Sequence, residues 1–246
     1  RGAVLERGCV YIVPLLERLS LSQRLSAIAN PKSSTGRLDV FTRLITDGAS
    51  EFDRIDAGYH GPLYAEIAPR TFSILARTGA RLNQMRLRRG EHRLTDTELS
   101  RLHQQSPLVH SDEGTENISE GIALTVDLQG AGDTGLIGYN ARPHAPLIDI
   151  EKINHYDPVD FWEPIYAGTG TESGLVLNPD DFYILASREA VSVPPDHAAE
   201  MVAYDTLVGE FRVHYAGFFD PGFGWAEAGG KGTRAVLEVR SHDVPF

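Results

Sequence analysis

The chain has 246 residues, about 1.6 domains at roughly 150 residues each, so one large or two small domains both fit. Its 41% hydrophobic and 23% charged content excludes a disordered chain. A formal charge of −11 argues against a general nucleic-acid binder, which needs a basic footprint, but leaves room for a local basic pocket that takes a small anion. No apolar run approaches the roughly 18 residues of a transmembrane helix, so no membrane partner is expected. No signal peptide is recognisable, and the sequence opens at Arg1 rather than Met. Cys9 stands alone, which rules out an intrachain disulfide and makes a reducing, cytoplasmic compartment the natural expectation.

Along the chain, VLERGCVYIVPLLERLSLS reads as strand, kink at Pro14, strand. Leu63 to Gly90 reads as further short strands, broken at Pro69 and Gly79. Thr95 followed by Glu98 is a capping box, and Leu99 and Leu102 share the face of a short connecting helix that should stop before Pro107. HSDEGTENISE, from His110 to Glu120, is acidic and without apolar period, as a linker would be. Strand-like runs then return in GIALTVDL, GLVLN, FYILAS, AEMVAY, FRVHYAGFF and TRAVLEVRS. Between them, GLIGYNARPH from Gly135 reads as a loop, and YDPVDFWEPI as an acidic, aromatic loop packing on the neighbouring domain. The strand density predicts a mainly β fold.

An internal repeat supports two domains. At an offset of 172, YIVPLLERLSL lies over YILASREAVSV, placing Glu17 on Glu189 and Ser20 on Ser192. RIDAGY at Arg54 then resembles FFDPGF at Phe218, offset 164, and Glu66 returns to offset 172 on Glu238. Three matches in one order imply tandem duplication of a β domain. The expected partition is 1–107, a linker at 108–120, and a second domain at 121–246.

The densest group of unusual residues is NPKSSTGRLD, Asn30 to Asp39. Lys32 and Arg37 bring charge, while Ser33 and Ser34 bring hydroxyls, on a turn set by Pro31 and Gly36. Such a turn suits a phosphate chain, and it also suits an ordinary polar surface. It lacks the spacing of a Walker A motif. Glu66 sits inside an apolar strand-like run, either on the solvent side or held inward by a partner such as Arg54. The nine histidines form no paired metal-ligand pattern.

Taken together, KSSTGR, RIDAGYHG and LYAEI resemble the dCTP deaminase branch of the dUTPase-like family of nucleotide enzymes, in a long form with two fused domains. The resemblance implies tandem dUTPase-like (β-clip) domains, each a distorted β-barrel. It implies that Lys32, Ser33, Ser34 and Arg37 bind a triphosphate and that Glu66 activates water and shuttles protons. Arg54 would orient Glu66, Asp56 would touch the deoxyribose, and Tyr59 would pack on the sugar. Mg²⁺ would arrive on the substrate phosphates, with few or no protein ligands. Zinc is not expected, because one cysteine and no H-x-E cannot build the zinc deaminase site. The partners implied are dCTP or dUTP and other subunits of a homo-oligomer, with sites at domain or subunit interfaces.

Several positions depart from the pattern. Lys32 replaces an Arg, giving up a bidentate fork but keeping the charge. The stretch between Arg37 and Arg54 is long, and Phe52 and Asp53 replace a small residue and a His. The family's N-terminal strands and C-terminal tail are expected to lie outside this sequence. In the second half Asp205, Thr206 and Gly209 fall on Ser33, Ser34 and Arg37, so that domain should be catalytically degenerate, with Arg212 and His214 as unranked contributors. The expected reaction is deamination of dCTP. The alternatives are a dUTP diphosphatase, a bifunctional enzyme, or a nucleotide-binding regulator without turnover.

Overall fold

A computed structural model describes residues 2–90, 93–111, 116–130, 132–168, 174–202, 212–213, 217–225 and 230–241, with 212–213 as backbone alone. In chain order come β1 (Ala3–Leu5), β2 (Tyr11–Ser20), β3 (Ser26–Pro31), a helical turn α1 (Ser33–Gly36), β4 (Val40–Thr46), β5 (Arg54–Ile55), β6 (His60–Pro69), β7 (Ile74–Ala76) and β8 (Asn83–Arg88). There follow α2 (Asp96–Gln105), β9 (Val109–His110), β10 (Leu136–Ala141), β11 (Ile148–Asp149), β12 (Trp162–Tyr166) and β13 (Phe182–Val191). The last strands are β14 (Ala199–Glu200), β15 (Arg212–Val213), β16 (Phe218–Phe219) and β17 (Thr233–Arg240). The fold is mainly β, as the sequence predicts, and among the described residues no sheet closes into a barrel.

The chain forms two compact units. One combines Arg1–His92 with Ala141–Trp162, and the other combines Arg93–Asn140 with Glu163–Phe246. In the first, β6 is the middle strand between β2 and β4. Strand alternation sorts the faces: Val40, Thr42, Leu44 and Thr46 of β4 are buried, which turns Phe41, Arg43 and Ile45 the other way. On β6, Leu63, Ala65 and Ile67 are buried, so Tyr64 and Glu66 lie on the same side as Arg43. Of the inward residues, Leu44 and Leu63 join Leu21, Ala27, Ala29 and Ile55 in one core.

The returning segment 141–162 completes this unit. Its β11 lies parallel to β7, and Arg77 grips Asp149 with two N–H donors, at 2.6 and 2.9 Å. That grip holds the Asp149 carboxyl down at about 2. Phe72, 1% exposed, meets Phe161 and Trp162 edge-on with ring centroids 5.8 and 5.4 Å away. Phe161 and Trp162 belong to YDPVDFWEPI, which is not a loop throughout, since Trp162–Tyr166 is strand β12, and the two rings pack on Phe72 within their own unit.

In the second unit the central pair is β13 and β17, whose Tyr183, Leu185, Ala235, Leu237 and Val239 form the core. Helix α2 carries the predicted capping box at Thr95 and Glu98, and its C-cap is Ser106, just before Pro107. Three local readings are corrected. GLIGYNARPH is not a loop, since β10 pairs with β13 along Gly138–Asn140. Gly138 belongs in that strand because a Cβ there would stand 2.3 Å from the Ile184 carbonyl oxygen. GIALTVDL makes only single bridges, at Ile122 and Val126, because the Asp127 carboxylate turns the chain by accepting the Gln129 and Gly130 amides. GLVLN also forms no strand, and its Leu175 and Leu177 pack into the core.

The duplication holds down to individual hydrogen bonds. Ile12 faces Glu66 as Ile184 faces Glu238, and the bulges fall at Pro14/Arg18 and Ala186/Ala190, all at offset 172. The Gly8 N–H donates to Pro69 as Asp180 does to Ser241, and both donors have left-handed backbone. The Tyr11 hydroxyl accepts from Glu6 as that of Tyr183 accepts from Asn178. The Ala29 amide donates to Asp53 as Met201 does to Gly217, where the partner offset becomes 164. Asp205, Thr206, Gly209, His214 and the side chain of Arg212 lie outside the described residues.

Candidate active site

The site residues come from three short pieces of the first unit. After β3 ends at Pro31, the chain makes the single turn α1 before entering β4. The Lys32 amide and the Thr35 hydroxyl both donate to the Leu82 carbonyl, at 2.9 and 2.8 Å, which pins the turn. Thr35 and Gly36 are buried by that contact, leaving Ser33, Ser34 and Arg37 exposed and Lys32 half-buried. The result is a surface of two hydroxyls and two cations.

Glu66 occupies the middle of β6, with its side chain 15% exposed. Directly across the ladder, Arg43 donates from Nε at 3.0 Å and from Nη2 at 2.5 Å, both to Oε1. Among the described residues Oε2 has no protein partner. The Arg43 guanidinium lies 3.8 Å from the centroid of the Phe52 ring and 5.1 Å from that of Phe41.

Asp53 adjoins this group. It has left-handed backbone, φ 63°, and accepts the Leu44 amide at 2.7 Å while its own amide donates to the Leu44 carbonyl at 2.9 Å. Burial pushes its carboxyl up to about 6, against the pull of the Leu44 N–H and the Arg43 charge, with the Glu66 charge adding to the rise.

The other expected site residues lie elsewhere. Among the described residues Arg54 makes no contact with Glu66. It is exposed on β5 and its guanidinium meets Glu51 at 3.3 Å, because β5 pairs with β3 rather than with β6. Asp56 is exposed on the turn after β5. Tyr59 packs on the core, donates to the Pro62 carbonyl at 2.5 Å and accepts from Asp47 at 3.2 Å, so its hydroxyl is committed within the chain. Among the described residues no hydrogen bond or ion pair joins Glu66 to Ser33, Arg37 or Arg54. An open cleft of 450 Å³ beside Asp56 is lined by Gln23, Arg24, Ser26, Ala57, Arg89 and Gly90 and does not include Glu66.

Sequence reasoning missed Arg43. Its signal was present as the cross-strand partner of Glu66, but reading it requires knowing that β4 pairs with β6 and in which register. Phe52 and Asp53 stood out as unusual, while their contacts to Arg43 and Leu44 were not foreseeable from spacing. Among the described residues no group of three or more His, Cys, Asp or Glu side chains converges as a metal cage, and no helix is long and apolar enough to cross a membrane.

Residues 1–91 match the family model for the N-terminal domain of 2′-deoxycytidine 5′-triphosphate deaminase, and residues 95–246 match that for its C-terminal domain. The crystal structure of 2′-deoxycytidine 5′-triphosphate deaminase from Agrobacterium tumefaciens is 60% identical, with a TM-score of 0.93 over 100% of this chain and 73% of that one. No curated protein matches. The fold and the matches therefore define a mainly β enzyme of nucleotide metabolism, built from two related domains. The chain belongs to the dCTP deaminase family.

Proposed function

We propose that this chain hydrolyses dCTP to dUTP and ammonia, with Glu66 as the general base. One observation carries the reading: Glu66 is a partly sheltered carboxylate, held through Oε1 and open at Oε2. Oε2 would take a proton from the water that adds to C4 of the cytosine. That proton is delivered to N3, where it stays, and the proton of the new C4 hydroxyl then passes through Glu66 to the departing amine. The C4–N bond breaks, ammonia leaves, and the uracil carbonyl forms. Ser33, Ser34, Lys32 and Arg37 would hold the triphosphate, since exposed hydroxyls and cations match phosphate oxygens. Those groups are phosphate ligands rather than metal ligands, which fits a Mg²⁺ carried on the triphosphate to neutralise part of its charge. Asp56 and Arg54 are both exposed, where the sugar or a neighbouring subunit of a homo-oligomer would reach them.

The test is product analysis with dCTP and Mg²⁺, separating dCTP, dUTP and dUMP by ion exchange. Accumulating dUTP with ammonia is the expected result. Formation of dUMP and pyrophosphate would instead establish the bifunctional route, and intact dCTP would sink the proposal.

A further inference from the structure

We propose that Arg43 is a positioning residue for Glu66: clamped on the Phe52 ring, it holds Oε1 so that Oε2 is presented to the reacting water. This deepens the reading of Glu66 as the base and rests on it.

The contacts form a continuous support. Asp53 exchanges two hydrogen bonds with Leu44, through its own carboxylate and its own amide, and so fixes the loop beside β4. The preceding residue, Phe52, is thereby set with its ring face 3.8 Å from the Arg43 guanidinium. Arg43 in turn directs two donors onto one oxygen of Glu66 rather than one onto each. A side-by-side fork would occupy both oxygens, whereas this end-on grip fixes the carboxylate and leaves the second oxygen open.

Stability does not account for the arrangement. The Arg43 and Glu66 side chains are 34% and 15% exposed, and ion pairs that reach solvent add little to stability. Orientation does account for it, because a base misplaced by about 1 Å can cost on the order of 10²-fold in rate.

The experiment compares kcat and KM for dCTP in the full chain carrying Arg43→Ala, Arg43→Lys, Phe52→Leu or Glu66→Gln, each with and without low guanidinium, alongside thermal unfolding. In Arg43→Ala, kcat should fall about 10²-fold with KM within about threefold of the parent. Guanidinium should restore part of that loss, but none in Glu66→Gln. Arg43→Lys should lie between parent and Arg43→Ala, because an ammonium supplies charge without the fork. Phe52→Leu should lower kcat by a smaller factor.

If Arg43→Ala keeps its kcat, or loses activity only through KM, the positioning role is wrong. Lack of any guanidinium response in folded Arg43→Ala also overturns it. Should Arg43→Ala fail to fold, an Arg43→Lys variant with full kcat refutes the proposal, and a lowered kcat at unchanged KM supports it. Ammonia release from Glu66→Gln would instead overturn the reading of the base.

Discussion

The β2·β6 and β13·β17 pairs are one frame used for two ends. Register, bulge and flanking turn bonds repeat at offset 172. What stands on the frame differs. Glu66 is partly open and faces Arg43, whereas Glu238 at the equivalent rung is 7% exposed as a residue. Glu17 is exposed, while Glu189 is 8% exposed and accepts both the amide and the hydroxyl of Thr125, at 2.7 and 2.6 Å. Asp53 has its counterpart in Gly217, which makes the same backbone bond without a carboxylate. Backbone geometry survives such divergence because every strand must satisfy its amides, while side chains on the outer faces are free to change. In the second copy both acids are buried, and Glu189 serves as an acceptor for Thr125. In the first, both reach solvent.

The sharpest way to break this contrast is to remove both acids in turn. Glu66→Gln should lower ammonia release by about 10²–10⁴-fold, the usual worth of a general base, while Glu238→Gln should keep a folded enzyme within about threefold of parent turnover. Equal losses of kcat in the two folded variants would show two working sites. Next comes stability. Glu189→Ala leaves Thr125 without its two charge-assisted bonds and should cost about 2–4 kcal/mol in denaturant unfolding, whereas Glu17→Ala should change it by about 0.5 kcal/mol or less.

The smallest effect concerns Asp53→Asn. The fold raises the Asp53 carboxyl from 3.8 to about 6, so it favours the protonated form. Its contribution is fully present below the unfolded value and is lost as pH rises through 6. Asparagine accepts the Leu44 amide, tolerates the left-handed backbone and never ionises. The variant should therefore be more stable than the parent at pH 7, and the difference should shrink as pH falls through 6 and vanish below the unfolded value of 3.8. A pH-independent difference would contradict the burial of this carboxyl.

Much of the frame was legible because its signals are local. The Thr95–Glu98 box and Pro107 bracket α2, and the repeat announces itself in short words such as YIVPLLERLSL. The strand β10 was not legible, since Gly135, Gly138 and Pro143 look like loop residues until the close approach to Ile184 explains the middle one. GIALTVDL misled in the opposite direction, because its apolar pattern serves core packing and the turn at Asp127 ends any ladder. Within the site, the resemblance indicated Glu66 and the Lys32–Arg37 turn. Arg43 depends on long-range register, which no short window of sequence contains.

The return of 141–162 to the first unit has a consequence for how the protein is made. Phe72 and Ile74 leave the ribosome long before Phe161, Trp162 and β11, which cover them. At roughly 5–20 residues per second, the N-terminal unit waits several seconds for its last strand and aromatic cover. During that interval the nascent chain presents an unfilled sheet edge and a bare phenylalanine, and it is then that a holdase would find the most to bind.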